Sequence, residues 1–257
     1  MISAQLQGGL GNQMFQISTA VALAQRNNDI AVFDPSSHYL PLHGRKCEIY
    51  RESIFRNINF SKIESVSNFY REPRCSYSEI LYIKNMMLHG YFQSEKYFID
   101  FRDGIIDLFA PSEKINKYID EKYGKILQEN SMTSVHIRRG DYLKFSNTHP
   151  LCTREYYTSC FKSLPADTSY FIFSDDPDWC ANNFKSSKFH VIHGEEDYID
   201  LYLMSKCDNH IIANSSFSWW GAWLNNSKGK KVFAPKRWFG PSGPPQNDII
   251  PETWAQR

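Results

Sequence analysis

The sequence predicts an α/β protein with a parallel sheet in its second half and a strand–helix–strand unit at its start. Two observations lead to this fold class. In the second half, short apolar segments alternate with segments of helical periodicity, which is typical of repeated strand–helix units. The chain also opens with an alternating segment, a glycine turn and a helical segment. Such connections join parallel strands, so helices are expected on both faces of the second-half sheet.

In the first half, the apolar alternation over residues 2–6 predicts a strand, and the spacing over 14–24 predicts a helix. Residues 30–34 predict the next strand, and residues 87–93 a further one. Ser94 is expected to cap a helix whose apolar face comprises Tyr97, Phe101, Ile105 and Leu108.

Residues 35–85 show no clear pattern and receive no assignment. A charged helix is predicted at 112–129 and is expected to connect two domains, residues 1–125 and residues 126–257.

The second half follows the strand–helix pattern most clearly. Strands are predicted at 133–138, 169–174, 189–193, 210–213 and 231–234, and helices near 154–163, 177–184, 195–206 and 216–225. Open parallel sheets bind ligands beyond the carboxyl ends of their strands. Residues that directly follow a strand are therefore the first candidates for a functional site.

Composition narrows the function class. With 29 basic and 28 acidic side chains the formal charge is +1, so no electrostatic binding of nucleic acid is expected. No apolar run approaches the ~20 residues of a membrane span, and the start resembles no secretory signal, so a cytoplasmic location is expected. The six cysteines are irregularly spaced and predict neither a zinc site nor a disulfide framework.

The first candidate is the glycine loop after the opening strand. Gly9 and Gly11 allow backbone N–H groups to approach a phosphate or sugar. Met14 stands where the dinucleotide fingerprint needs glycine, which weakens a nicotinamide interpretation. Asn12 and Gln13 could hydrogen-bond a sugar hydroxyl or an oxyanion. A tight turn without function is the alternative.

The second candidate follows the strand at 133–138. His136 and Arg138 project from one face of that strand, and Arg139 lies at the turn. Two adjacent guanidinium groups are costly to desolvate unless anions pair with them, and a diphosphate is such an anion. Arg138 is assigned to the diphosphate, and Asp141 to holding the loop. In the alternative, Arg139 forms an internal ion pair with Asp141.

The third candidate follows the strand at 169–174 and includes Ser174, Asp175 and Asp176. Three interpretations stay open here. Asp176 with Asp178 could form a metal-binding D-x-D pair, an aspartate could accept two N–H groups of a guanine, or an aspartate before Pro177 could cap a helix.

The fourth candidate is the polar start of the helix at 216–225. Hydroxyl and N–H groups there could bind an anion, although helix capping would also explain the serines. The three tryptophans that follow are expected in the core, and the acidic residues 195–197 are expected to compensate a helix dipole. The residues of this candidate are Asn214, Ser215, Ser216, Phe217 and Ser218.

Taken together, these motifs resemble the α-1,2-fucosyltransferases of glycosyltransferase family 11. The matching stretches are QLQGGLGNQMFQ (5–16), GYFQSEKYF (90–98), HIRRGDY (136–142), FIFSDD (171–176), DLYLMSKCDNHIIANSSFSWWGAWL (200–224) and APKRWF (234–239). HIRRGDY alone would also suit α-1,6- and protein O-fucosyltransferases.

The resemblance implies a fold of the GT-B type, with two Rossmann-like domains facing across a cleft. It implies that the C-terminal domain holds GDP-fucose and that the acceptor, a galactose-terminated oligosaccharide, approaches from the N-terminal one. Transfer with inversion and without a metal or other cofactor follows from the same resemblance. A peripheral contact with the membrane surface would suit a lipid-linked acceptor.

The resemblance also implies residue roles. Arg138 matches an arginine on the β-phosphate, and His136 with Asp175 or Asp176 matches positions near the guanosine. Ser215, Ser216 and Ser218 match a phosphate-side cluster, and Asn12 and Gln13 a loop facing the cleft. Asp141 and Glu95 are the carboxylates considered as general base, which a strongly dissociative transition state could make unnecessary.

Other functions stay open at this stage. A GDP-sugar transferase of another linkage is the nearest alternative. A carbohydrate-binding protein without turnover would suit the 15% aromatic content, but the paired arginines argue against it. A nicotinamide oxidoreductase is the third.

Overall fold

The computed structural model describes residues 1–37, 45–129, 131–245 and 247–257. The chain forms two compact units, and each draws on two stretches of sequence. The first unit comprises Met1–Pro111 with Pro244–Pro251, and the second comprises Ser112–Gly243 with Glu252–Arg257. The return of residues 244–251 to the first unit has no counterpart in the sequence pattern. The assignment of donor and acceptor to separate domains stays a prediction.

The first unit contains a three-stranded parallel sheet among its described residues. Its strands lie in the order β1–β3–β2. Residues 30–34, predicted as a strand, make only single parallel bridges, from Ala31 to Ile2 and from Phe33 to Phe60. The elements are β1 (Ile2–Ala4), α1 (Leu10–Arg26), β2 (Asn68–Arg71), β3 (Met86–His89) and α2 (Arg102–Leu108).

The helix predicted from Ser94 is interrupted. Ser94 Oγ does accept the Lys96 N–H at 3.4 Å, but two short 3₁₀ turns precede α2. Phe98 separates them with a φ of −146°, outside the helical region. Its ring is fully buried and lies 6.0 Å from that of Phe15 on α1. We infer that burial of Phe98 against α1 outweighs continuation of the helix.

The unassigned stretch 35–85 contributes 3₁₀ turns at Pro35–Ser37 and Cys47–Tyr50 together with β2. Residues 38–44 of that stretch lie outside the described residues.

The second unit has the predicted architecture. Its six described strands are all parallel and follow the order β6–β5–β4–β7–β8–β9. The charged helix predicted at 112–129 is present as α3, and β9 was not predicted. The elements are α3 (Glu113–Glu129), β4 (Met132–Ile137), α4 (Arg154–Lys162), β5 (Ser169–Ser174), α5 (Pro177–Asn183), β6 (Phe189–Val191), α6 (Asp197–Ser205), β7 (Asn209–Ile211), α7 (Ser216–Leu224), β8 (Val232–Ala234) and β9 (Ala255–Gln256).

The strand order reverses at β4. The chain adds β5 and then β6 on one side of β4, and places β7 and β8 on the other side. The loops after β4 and β7 therefore leave the sheet in opposite directions and open a crevice, the usual ligand position in such folds. None of the helices in the described ranges combines the length and apolar character that a bilayer crossing requires.

Helices α6 and α7 pack closely against each other. The three tryptophans of α7 are buried, which confirms their predicted place in the core; they are Trp219, Trp220 and Trp223. A Cβ at Gly221 would lie 2.8 Å from both Cβ and Sδ of Met204 on α6. The close approach of the two helices therefore depends on the missing side chain of Gly221.

We expect Gly221→Ala to destabilise the second unit by about 1–3 kcal/mol, because the added methyl group overpacks this contact. Gly124→Ala is the matched control, since its Cβ would meet only Asp120 Cβ at 3.9 Å. The free energy of unfolding of that variant should rise by about 0.5–1 kcal/mol, because alanine has a higher helix propensity than glycine. Urea unfolding of both variants measures the difference, and equal stabilities would contradict the packing argument.

Candidate active site

In the second unit, a hydrogen bond joins β4 to α7 at the strand-order reversal. His136 Nδ1 and Ser218 Oγ lie 2.9 Å apart, which links β4 to the first turn of α7. Burial, and then the charge of Arg138, lower the pKa of His136 to about 3. His136 is therefore neutral at physiological pH, and its ring lies 5.6 Å from that of Phe217.

Arg138 lies at the carboxyl end of β4 between two carboxylates. Its Nη2 donates to Asp141 Oδ1 at 2.7 Å, and its Nη1 lies 3.1 Å from Asp175 Oδ2. The guanidinium also lies over the ring of Tyr142, 5.2 Å from its centre. The Arg138 side chain nevertheless keeps 30% of its surface exposed. It is held in a fixed orientation and remains accessible to an anion.

The ion-pair partner of Arg139 is Asp176, not Asp141 as in the alternative drawn from the sequence. Its Nε donates to Asp176 Oδ2 at 3.0 Å, and its guanidinium lies 3.8 Å from the ring centre of Trp179. Asp141, the partner in the internal ion-pair alternative, is bound to Arg138 instead.

The loop after β5 is fastened by capping interactions. Asp176 Oδ1 accepts the N–H of Trp179 at 3.2 Å, and Pro177 opens α5 as the capping interpretation requires. Ser174 Oγ donates to the carbonyl of Ile137 at 2.6 Å and accepts the N–H of Asp176. Asp175 and Asp176 therefore already have partners, while the guanine and metal interpretations stay predictions. Among the described residues, no group of three or more His, Cys, Asp or Glu side chains is arranged to hold a metal.

The loop after β7 divides into a buried anchor and a helix start. The amide of Asn214 is buried and donates to the carbonyls of Pro150 and Trp238, both at 2.9 Å. Asn214 therefore holds neighbouring loops. The first N–H groups of any α-helix lack an intrahelical acceptor, and the side chain of Ser215, the N-cap of α7, does not cap those of α7. Ser216 and Phe217 are half-buried on this first turn.

Two residues of the second unit were not singled out in the sequence. Tyr142 donates its hydroxyl to the Asn214 carbonyl at 3.0 Å, which ties the loop after β4 to the loop after β7. Asp200, on the first turn of α6, has a buried Oδ1 without a hydrogen-bond partner among the described residues. Burial, followed by Glu195 and Asp197, raises the pKa of Asp200 to about 7. The signal for Asp200 was a carboxylate inside an apolar helical run.

Glu195 contributes more than compensation of a helix dipole. Its side chain is almost fully buried and accepts hydrogen bonds from Tyr118 and Tyr123, the latter at 2.6 Å. It therefore fastens α3 to the start of α6.

In the first unit, Asn12 and Gln13 follow the glycine loop directly but differ in burial and in hydrogen-bond partners. Gln13 is fully buried, and its Nε2 donates to the carbonyls of Gly8 and Arg45 at 2.9 and 2.7 Å. Its Nε2 is therefore already engaged, while its buried Oε1 has no hydrogen-bond partner among the described residues. Asn12 is half-buried and accepts a hydrogen bond from Gln93 at 2.8 Å.

The two glycines of the prediction have different positions. Gly9 is the N-cap of α1 and accepts the N–H groups of Asn12 and Gln13 through its carbonyl, while Gly11 is buried within α1. Gln16 was not singled out; its buried amide links Gln7 to the carbonyl of Gly90. Of the two carboxylates considered as general base, Glu95 lies in the first unit and Asp141 in the second.

Comparison with known proteins identifies relatives of this chain. The model of glycosyl transferase family 11 matches residues 1–248. The chain is 32% identical to the alpha-1,2-colitosyltransferase of Escherichia coli, covering 100% of this chain and 98% of the relative. It is 25% identical to galactoside alpha-(1,2)-fucosyltransferase 1 of Bos taurus, covering 85% and 64%.

A solved structure has the same fold. The fucosyltransferase NodZ from Bradyrhizobium aligns with a TM-score of 0.55 and 15% identity, covering 86% of this chain and 90% of that one. This similarity confirms the expected α/β fold of the GT-B type. With a family model matched over nearly its whole length and a full-length relative at 32% identity, the chain belongs to glycosyl transferase family 11.

Proposed function

We propose that this glycosyltransferase moves L-fucose from GDP-β-L-fucose to the 2-hydroxyl of a terminal β-galactose, with inversion at the anomeric carbon. The observation that carries the proposal is Arg138, an oriented and accessible guanidinium at the strand-order reversal. The two relatives named above differ in the sugar they transfer but share an α-1,2 linkage in their names.

The main chemical obstacle in this reaction is the charge of the leaving group. The acceptor oxygen forms a bond to the anomeric carbon while the bond to the β-phosphate breaks, and GDP departs with the electron pair. Arg138 stabilises that developing charge without having to reorganise, because Asp141 and Asp175 already fix its direction. The hydroxyl proton passes to solvent or to one of the candidate carboxylates.

The remaining groups suit a nucleotide. The half-buried ring of Phe217 can contact a guanine base, and the buried, neutral imidazole of His136 packs against that ring with 5.6 Å between the ring centres. Ser215, Ser216 and the N–H groups at the start of α7 suit the phosphates. We assign the guanosine to the second unit and the acceptor, a galactose-terminated oligosaccharide, to the first.

A second donor deserves a direct comparison because the relative at 32% identity is a colitosyltransferase. Colitose is L-fucose without its 3-hydroxyl group. A site that hydrogen-bonds this hydroxyl leaves polar groups unpaired with the deoxy sugar and discriminates strongly against it.

We expect kcat/KM with GDP-fucose to exceed that with GDP-colitose by at least about 10²-fold. Initial rates on a panel of galactosides measure this ratio, and NMR of the product gives the linkage. A preference for GDP-colitose would reassign the donor, and a linkage other than α-1,2 would reassign the acceptor hydroxyl.

We expect Arg138→Ala to lower kcat by about 10²–10³-fold, the usual effect of removing a preorganised donor to a developing anion. Arg138→Lys should recover only part of the loss, because an ammonium group cannot contact both carboxylates in the same geometry. Arg154→Ala, which removes an exposed guanidinium at the start of α4, is the control. Full activity of Arg138→Ala would exclude the assigned role.

We expect the rate to be unchanged by EDTA, because the accessible Arg138 guanidinium can supply positive charge that a divalent ion would otherwise bring to a diphosphate. The measurement is turnover of metal-free protein with and without added Mg²⁺ or Mn²⁺. Loss of activity on chelation, restored by one of these ions, would favour the metal interpretation of Asp176 and Asp178.

The cellular setting is also part of the proposal. We propose that the enzyme works in the cytoplasm on a glycan acceptor, with peripheral contact at the membrane surface and without nucleic-acid partners.

A further inference from the structure

The segment after β3 has a backbone conformation that its sequence does not favour. Phe92 has a φ of 51°, in the left-handed region that residues other than glycine rarely adopt. Such a conformation costs free energy and persists only where the surroundings fix it. Positions of this kind cluster at active sites and ligand-binding segments.

Glu72 fixes the backbone of this segment. Its Oε2 accepts the N–H groups of Tyr91 at 2.8 Å and of Phe92 at 3.0 Å. The ring of Phe92 is fully buried and meets the ring of Tyr97 edge-on, 5.4 Å between centres. The backbone and the ring of Phe92 are thus both held in place. This fixes the direction in which the side chain of the next residue, Gln93, can extend.

Gln93 contacts Asn12, which lies just after the glycine loop at the start of α1. Its Nε2 donates to Asn12 Oδ1 at 2.8 Å. The other side of the Asn12 amide lies against Gly8, where a Cβ would be 2.5 Å from Nδ2. Gly8 has a φ of 79°, in the left-handed region that glycine adopts most readily. Its lack of a side chain leaves the space that the Asn12 amide occupies.

Gln93 and Gly8 therefore restrict the orientation of the Asn12 amide from two sides. Its oxygen accepts a hydrogen bond from Gln93, whereas its Nδ2 has no acceptor within the described ranges and belongs to a half-buried side chain. If the Asn12 amide alone rotated by half a turn, its Nδ2 would face the Nε2 donor of Gln93, which is unfavourable, so the Gln93 amide would have to turn with it.

We propose that Gln93 is a positioning residue that holds the Asn12 amide with Nδ2 free to donate to a substrate oxygen during transfer. The inference rests on the proposed glycosyl transfer and on the expected role of Asn12 in it. Gln93 itself need not touch the substrate, because its effect passes through Asn12. A purely structural role, joining α1 to the segment after β3, is the alternative that an experiment must separate.

The test is a double-mutant cycle on the full-length chain with GDP-fucose and a galactoside acceptor. Gln93→Ala should lower kcat about tenfold and change KM by less than about twofold, as loss of one well-oriented hydrogen bond predicts. Gln93→Glu, which is isosteric but cannot donate, should lower kcat at least as much. Adding Gln93→Ala to Asn12→Ala should cause no further loss, since residues that act as a unit are not additive.

Gln128→Ala, an exposed position on α3, is the control and should keep wild-type kinetics. Thermal unfolding of every variant shows whether the fold is retained. Full activity of Gln93→Ala would overturn the proposal, and so would full activity of Asn12→Ala. An equal fall on adding Gln93→Ala to the wild type and to Asn12→Ala would show a structural role.

A second readout needs no substrate. In ¹⁵N-labelled protein, the side-chain amide signals of Asn12, identified by their loss in Asn12→Ala, should shift in Gln93→Ala toward those of a solvent-exposed asparagine. Unchanged signals would overturn the positioning role even if no GDP-sugar is turned over. Lack of turnover by the wild type, with shifted signals, would instead count against the proposed function alone.

Discussion

The placement of two guanidinium groups at the end of a buried central strand is the constraint on which the second unit depends. β4 is buried along its whole length, and the chain leaves it directly into Arg138 and Arg139. Partly buried cations need counter-charges, and the neighbouring strand supplies them as Asp175 and Asp176. The loops after β4 and β5 are consequently fixed to each other, so neither can be changed without leaving a charge of the other unpaired.

This ion-pair arrangement also explains how an anion site can exist before the anion arrives. Arg138 is balanced by carboxylates at the surface of the crevice, so its exposed part can bind a diphosphate without a large rearrangement. His136 adds to this by remaining neutral beside Arg138, since a second positive charge would weaken the hold of Asp141 and Asp175 on the guanidinium. Tyr142, through the Asn214 carbonyl, fixes the distance between the two loops of the crevice.

Much of the second unit was predictable from the sequence, because its strands are short apolar runs bounded by polar turns. Because ligands bind beyond the carboxyl ends of such strands, His136, Arg138 and the loop after β7 could be predicted together as candidates for one site. The ion-pair partners were less predictable, since Arg139 and Asp176 are 37 positions apart and only the strand order brings them together. In the first unit, Phe98 and the left-handed Phe92 break the local pattern, because tertiary burial overrides backbone preference there. Gln13 and Asn12 are adjacent in the motif but differ in burial, which the residue types alone do not reveal.

The return of residues 244–251 to the first unit has a consequence for how the protein is made. Asp248 accepts the N–H of Tyr77 through its side chain and the Ser94 hydroxyl through its carbonyl, both within the first unit. These contacts cannot form while the ribosome is still translating the middle of the message. The N-terminal portion therefore stays incomplete until residues 244–251 have been synthesised, and a nascent chain that stops before them would expose the surfaces that they cover.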